Sequence, residues 1–340
     1  MLNGKTILIT GGTGSFGKKC TEIILKVYKP QKLIIFSRDE LKQFEMSQRW
    51  NPQKYPFIRY FLGDIRDKER LIHAFHGIDY VIHAAALKQV PAAEYNPTEF
   101  VKTNIIGAMN IVDAALFNNV QKVIALSTDK ACNPVNLYGA TKLCADKLFI
   151  AANAYTGRKT IFSVVRYGNV MGSRGSVIPF FKEKASTGVL PITDPNMTRF
   201  WITLDQAVHF VLKILALAQG EEIFVPKIPS TKITDLAKAI APNCTHKIIG
   251  IRLGEKIHET LIGEDEGRNT IEYNECFVIK QKLISEADLN GGKRCPEGFK
   301  YTSNNNPDII SIEELRNAIE QISDDYNIEK SRWSLEDIVQ

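Results

Sequence analysis

The chain has little of what several common function classes need. Its six cysteines (Cys20, Cys132, Cys144, Cys244, Cys276 and Cys295) contain no Cys-x-x-Cys spacing. Reduced thiols are therefore expected, rather than a thiolate zinc site or a disulfide scaffold. Charge is nearly balanced at +5, with no dense block of lysine and arginine. That argues against nucleic acid as the partner and leaves room for local basic sites facing a phosphorylated ligand. No apolar run approaches the ~18 residues of a membrane span, so none is expected. An apolar strand begins near Lys5, which argues against a secretory leader, and the expected location is the cytoplasm. His83 has no second ligand at metal spacing, so it is expected to satisfy local hydrogen bonds, with no metal bound. Internal repeats and long low-complexity segments are also missing.

What is present is an alternation of buried strands and amphipathic helices. With 340 residues, 44% of them hydrophobic, the chain can bury one large core or two closely joined ones. Short apolar runs at Lys5–Thr10, Leu33–Phe36, Phe57–Leu62, Tyr80–His83, Lys122–Leu126 and Thr160–Val165 alternate with helical patterns such as Thr98–Leu116. This pattern predicts an α/β fold with a doubly wound parallel sheet. Beyond Gly172 the elements shorten between Pro and Gly, which marks a smaller α+β lobe. The expected division is 1–170 for a dinucleotide-binding domain and 171–282 for a substrate lobe partly interleaved with it. Residues 283–340 are expected to form a polar tail with one helix, Ser311–Ile322.

The first strand runs into Gly11-Gly12-Thr13-Gly14-Ser15-Phe16-Gly17 and then a helix. Gly11, Gly14 and Gly17 suit a tight turn, close approach to a pyrophosphate and tight helix–strand packing, while the helix N-terminus supplies amide donors. The second strand ends in Ser37-Arg38-Asp39. Ser37 and Arg38 suit a 2′-phosphate and favour NADP; Asp39 keeps NAD open. Asp64 and Ile65 are placed to flank the adenine. Ala84 and Ala86 are small enough to let a cofactor lie against backbone, and Lys88 can reach cofactor or substrate.

A third strand end carries Thr128, Asp129 and Lys130, with Tyr138 and Lys142 on the following helix. Tyr138 and Lys142 are four residues apart and share a helix face. A free tyrosine titrates near ~10, and a close ammonium favours its phenolate. With Thr128 hydrogen-bonding a substrate oxygen, this trio suits removal of a hydroxyl proton while a hydride leaves the same carbon. Asp129 and Lys130 add an acid and a base that plain alcohol oxidation does not need. Arg174, Arg199 and Arg252 lie in polar or loop contexts and are able to clamp a diphosphate.

These motifs resemble the extended short-chain dehydrogenase/reductases that act on nucleotide sugars. More narrowly they resemble the inverting UDP-N-acetylglucosamine 4,6-dehydratases of pseudaminic acid synthesis. The stretches that carry the likeness are Ser37-Arg38-Asp39-Glu40-Leu41-Lys42, Ala84–Lys88, Ser127–Ala131 with Asn133-Pro134-x-Asn136-x-Tyr138, Arg166–Val170, Gly172–Ser176, Met197–Trp201 and Gly254-Glu255-Lys256-x-His258-Glu259. The resemblance implies that Glu40, Leu41, Lys42, Leu126, Ser127, Val170, Tyr138 and Lys142 join the cofactor site. It also implies that Asn169, Gly175, Ser176, Val177 and Glu255 join the substrate site with Lys88, Thr128 and the three arginines. UDP-N-acetylglucosamine is the implied substrate, NADP a tightly bound cofactor regenerated each turnover, and a dimer or hexamer the implied assembly.

In the implied reaction Tyr138, helped by Lys142 and Thr128, takes the 4-hydroxyl proton while hydride passes to NADP⁺, and the resulting 4-keto group acidifies the hydrogen on carbon 5. Retaining dehydratases resemble this chain but place Asp-Glu after the threonine, where Asp129-Lys130 stands here. Lys130 is then the carbon-5 base and Asp129 the acid that expels the 6-hydroxyl. A free lysine base near pH 7 asks for a depression of about three pH units, roughly 4 kcal/mol of environment. A UDP-sugar 4-epimerase, which needs no such pair, a related dehydratase of capsule or O-antigen synthesis, and a non-catalytic dinucleotide sensor are the alternative readings.

Overall fold

The computed structural model of the chain describes residues 1–331 apart from Thr156, Arg158 and Arg174. Arg174, expected in the substrate site, and the last residues of the expected tail therefore lie outside the described residues. The strands, in chain order, are β1 (Thr6–Thr10), β2 (Lys32–Ser37), β3 (Ile58–Leu62), β4 (Tyr80–His83), β5 (Lys122–Thr128), β6 (Ile161–Tyr167), β7 (Asn169–Val170), β8 (Val189–Ile192) and β9 (Thr198–Ile202). They continue with β10 (Glu222–Pro226), β11 (Ser230–Lys232), β12 (Thr245–Ile248), β13 (Thr260–Ile262), β14 (Thr270–Glu272), β15 (Cys276–Lys280), β16 (Lys293–Arg294) and β17 (Tyr301–Thr302).

The main sheet has the order β16-β14-β15-β10-β6-β5-β4-β1-β2-β3. From β3 to β10 the pairs are parallel, and β15, β14 and β16 extend the edge antiparallel. Each of β1, β2 and β6 is buried along nearly its whole length, the reading expected of strands covered on both faces. The order reverses between β1 and β4, so the carboxyl ends of β1, β4 and β5 open on one crevice. That is the doubly wound architecture the alternation predicted.

Three features of the fold depart from the sequence reading. First, β10, β14 and β15 return to the main sheet, and Val208, Val211 and Leu215 of the Leu204–Leu217 helix join its core. The smaller lobe has its own core of Met171, Ile178, Leu190, Trp201 and Leu236. The two lobes thus trade segments more than once after residue 170.

Second, the segment after 282 is more than a tail. Tyr301 of β17 is buried in the main core, and Leu315 and Ile319 of the Ile312–Ser331 helix close the smaller one. The polar residues that made it read as a tail occupy the outer faces.

Third, Pro97–Phe117 is one continuous helical stretch, and an 18-residue window within it has a mean hydropathy of 1.3, long and apolar enough to cross a membrane. The expectation that no run approaches that length is thereby corrected. The scattered Lys102, Asn104, Asn110 and Asp113 interrupt the run without lowering its mean enough. Over half of that window, 56%, is buried, with Ile111, Ala114 and Ala115 in the main core.

Candidate active site

At the first strand–helix turn the glycines are required by contact. Gly11 has φ +64, and a Cβ there would sit 2.9 Å from the Ala85 backbone. A Cβ on Gly17 would sit 2.3 Å from Gly12 O, and one on Gly12 would meet Ile35 at 2.7 Å. The turn therefore presses β1, β2 and the loop after β4 together, leaving a backbone cradle at the Ser15–Val27 helix with Gly14 at its N-cap. Gly12 was not among the expected site residues; its place between Gly11 and Thr13 hid a packing role.

Thr13 Oγ1 lies 2.9 Å from Ser37 Oγ, which also accepts from Asp39 N. Asp39 is engaged as an N-cap, accepting from Lys42 N and pairing with Lys42 Nζ at 2.5 Å. Arg38 stays exposed, 3.6 Å from Asp64, which Arg66 also holds. Glu40 and Leu41 are exposed on the outer turn and Ile65 is buried beneath. His83 Nδ1 is 2.8 Å from Thr10 Oγ1, and burial, with the Lys142 charge, pushes its pKa down to about 3. It is a neutral, satisfied core histidine, as expected.

The loop after β4 is locked from below. Asn104, buried in a π-helical turn at Val101–Ile106, accepts from Leu87 N and donates to Leu87 O and Thr141 Oγ1. Ala84 is half-buried beside Gly11 and Ala86 is exposed, and Lys88 comes close enough to Lys130 for their charges to oppose. No sequence signal marked Asn104 beyond its place in an apolar helix.

The Leu137–Ala152 helix carries both Tyr138 and Lys142. Asn136 caps it, accepting from Gly139 N at 2.8 Å and donating to Gly254 O. Gly139 has no room for a side chain, since a Cβ would lie 2.2 Å from Lys130 O. The loop carrying Lys130 is thus pressed onto the helix next to Tyr138. Tyr138 and Lys142 are both buried. Lys142 Nζ donates to Leu126 O at 2.7 Å, and burial lowers its pKa.

Burial pushes Tyr138 up to about 12, against the Lys130 charge and a hydrogen bond with Thr128. The leading cation acting on the phenol is therefore Lys130, where the helix spacing pointed to Lys142. The reason is that Lys142 is turned to the β5 carbonyl and held near Asp146. Ser127, expected at the cofactor, turns its hydroxyl inward to Asp146 at 2.8 Å.

Lys130 Nζ lies 3.0 Å from Asp129 Oδ1 and 3.3 Å from Glu259 Oε1. Burial opposes its charge, but the two carboxylates outweigh that and hold the ammonium above the ordinary lysine value. The depression expected of a free lysine base is therefore absent from this state. Asp129 is fully buried, and burial raises its pKa despite Lys130. Glu259 is held low, against burial, by Lys130, Arg199 and Lys256. Among the described residues, Asp129 Oδ2 and Glu259 Oε2 are buried without a hydrogen-bond partner.

The expected substrate residues divide. Asn169 and Val170 form β7, paired to β9. Gly175 adopts φ +72 with a Cβ position 2.8 Å from Gln89 Nε2, and Ser176 and Val177 open the Val177–Lys184 helix. Arg252 is largely exposed and pairs with Glu255. Arg199 does not have the expected role of a free clamp. Its position in β9 buries the guanidinium, which donates to Thr198 O, Ile257 O and Lys256 O and lies 3.7 Å from Glu259. Glu259 itself was visible only as one residue of a motif. All six cysteines are free thiols.

Residues 7–281 match the family model described as polysaccharide biosynthesis protein. The chain belongs to this family. It is 58% identical over 331 residues to a UDP-N-acetylglucosamine 4,6-dehydratase (inverting) of Campylobacter jejuni, covering 94% of this chain and 98% of the relative. It is 41% identical to a UDP-glucose 4-epimerase of Rickettsia conorii, covering 94% and 96%. Among solved structures, Pen from Bacillus thuringiensis superposes with a TM-score of 0.86 at 39% identity, covering 95% of this chain and 99% of that one. The likeness to the inverting dehydratases read from the motifs thus extends along the chain. Family membership alone leaves epimerase and dehydratase both represented.

Proposed function

We propose that the chain is an NADP-dependent UDP-N-acetylglucosamine 4,6-dehydratase that inverts carbon 5. Its product would be UDP-2-acetamido-2,6-dideoxy-β-L-arabino-hexos-4-ulose, feeding pseudaminic acid-type sugar synthesis in the cytoplasm. The observation that carries this reading over an epimerase is the Lys130 ammonium 3.0 Å from Asp129 and 3.3 Å from Glu259, in hydrogen-bonded continuity with Thr128 and Tyr138. An epimerase has no task for a buried acid–base pair there.

A nicotinamide dinucleotide fits the backbone cradle at the first strand–helix turn, which the close contacts at Gly11, Gly12 and Gly17 hold in shape. Ser37, Arg38 and Lys42 would hold the 2′-phosphate, since Asp39 is turned to its cap. When bound, the oxidised ring supplies a hydride acceptor, later a hydride donor, and a positive charge that favours the Tyr138 phenolate.

The protein's share is proton movement. Tyr138, with Thr128, takes the proton of the 4-hydroxyl, and the new 4-keto group acidifies carbon 5. Lys130 then passes its proton to Asp129 along their existing hydrogen bond. Burial favours the neutral amine and carboxylic acid over the ion pair once the sugar excludes water. The amine removes the carbon-5 proton, the acid protonates the departing 6-hydroxyl as water, and the resting ion pair is restored. Carbon 6 would regain the hydride first taken from carbon 4; a solvent proton delivered to carbon 5 from the face opposite Lys130 inverts it, and Tyr138 gives up the 4-hydroxyl proton to solvent. The homo-oligomer implied by the resemblance has a candidate face in the exposed Val101, Ile106 and Met109.

The test is turnover of UDP-N-acetylglucosamine in deuterated water, followed by NMR. A 4-keto-6-deoxy product with deuterium at an inverted carbon 5 is expected. Epimerised hexose alone, or retention at carbon 5, overturns the proposal.

A further inference from the structure

We infer that Glu259 is a positioning residue that fixes Lys130 Nζ between two carboxylates and sets the pH window in which the Lys130–Asp129 pair carries one shared proton. The inference rests on the dehydratase reading and adds a residue from the other lobe to it.

Glu259 is anchored on both sides of its peptide: its N–H donates to Ser303 Oγ at 2.9 Å, and its carbonyl accepts from Ser303 N at 2.9 Å. It directly precedes β13, which pairs with β17, so its backbone has little freedom. The carboxylate is held from behind by Arg199, whose own guanidinium is fixed on three carbonyls. What it presents to the crevice is Oε1 on Lys130 Nζ, with Oε2 buried and unpartnered. A purely structural carboxylate at such depth would use both oxygens. Lys130 keeps a quarter of its side chain accessible while Asp129 and Glu259 are shut away, so the lysine is the member that can meet substrate.

The charges around the pair come from every element packed on it. The loop after β5 gives Asp129 and Lys130, the Leu137–Ala152 helix gives Tyr138, and the loop after β4 gives Lys88. β9 gives Arg199, and the segment before β13 gives Lys256 and His258. Near the lysine, Asp129 and Glu259 balance Lys130 and Arg199. Glu259 adds negative charge that makes every proton on the Lys130–Asp129 pair harder to remove. Without it, both the gain and the loss of the shared proton move to lower pH.

The experiment compares the pH dependence of kcat/KM for wild type, E259Q and E259D with UDP-N-acetylglucosamine. It also follows exchange of the carbon-5 hydrogen in deuterated water. For E259Q the alkaline limb should move to lower pH by about one unit, as expected for losing a neighbouring charge. Carbon-5 exchange near the wild-type optimum should fall about tenfold. E259D, which keeps the charge but shortens the arm, should restore most of the limb's position while exchange stays slowed. A folded E259Q with the wild-type limb and exchange rate overturns the inference. If E259Q does not fold, an E259D profile matching wild type in both limb and exchange rate overturns it instead. Wild type that performs no dehydration sinks the functional reading, and this inference with it; an active wild type with unmoved variants sinks this inference alone.

Discussion

Two buried ion clusters lie at the ends of β5 and β6, and they are built differently. In one, Arg166 is fully buried, donates to both Glu266 oxygens at 2.8 and 3.0 Å and to Leu261 O, and reaches Asp146, which Ser127 also engages, while its Nε has no partner among the described residues. In the other, Lys130 sits between Asp129 and Glu259, each of which keeps one oxygen without a partner. The first holds sheet, helix and the Glu264–Gly267 turn together. The second leaves hydrogen-bonding capacity unused at the crevice. Desolvation of unsatisfied carboxylates is costly, and such cost is tolerated where it serves chemistry. The contrast lies in the carboxylates: both Glu266 oxygens accept from Arg166, whereas Asp129 and Glu259 each hold one buried oxygen without a partner among the described residues.

The largest effect expected from breaking this contrast is on turnover. Lys130→Ala should keep cofactor binding and lose dehydration by about 10²–10⁴-fold, measured by product NMR. Normal dehydration by that variant would remove Lys130 from the mechanism. In the Arg166 cluster, Arg166→Met should cost stability, by about 3–5 kcal/mol in denaturant unfolding, because it removes the cation facing buried Asp146 and half-buried Glu266. If Arg166→Met is as stable as wild type, the cluster is not a structural clamp.

Arg38→Ala tests the cofactor end. About a tenfold loss of NADP affinity, with NAD affinity unchanged, is expected from one exposed charge-assisted contact. Equal losses for both cofactors would refute the 2′-phosphate assignment. The smallest effect concerns acid stability. Glu266 has its pKa held low in the fold, against burial, by Arg166. A depressed carboxylate contributes stability above its unfolded pKa, lost as pH falls through the folded value. Melting temperature should therefore fall below the ordinary glutamate range, and Glu266→Gln should flatten that slope.

Much of this was legible in the sequence because it depends on local pattern. The buried strands, the glycine turn and the Tyr138–Lys142 helix follow from apolar runs, contact-limited residues and four-residue spacing. What was not legible depends on long-range placement. Arg199 looked like a free loop cation, but β9 turns it inward onto carbonyls near Glu259. Glu259 could not be placed beside Lys130 across more than a hundred positions of chain. Charge regulation followed the same rule: Lys142 was near Tyr138 in sequence, yet Lys130 is the leading cation on the phenol.

The most direct test of the central claim is the protonation of Lys130 Nζ in the resting enzyme. It can be followed by ¹⁵N NMR of labelled lysine, with Lys130→Arg identifying the signal. The account predicts an ammonium that stays protonated from pH 6 up to at least the ordinary lysine value of about 10.4, held by Asp129 and Glu259. A neutral amine titrating near pH 7 would contradict it.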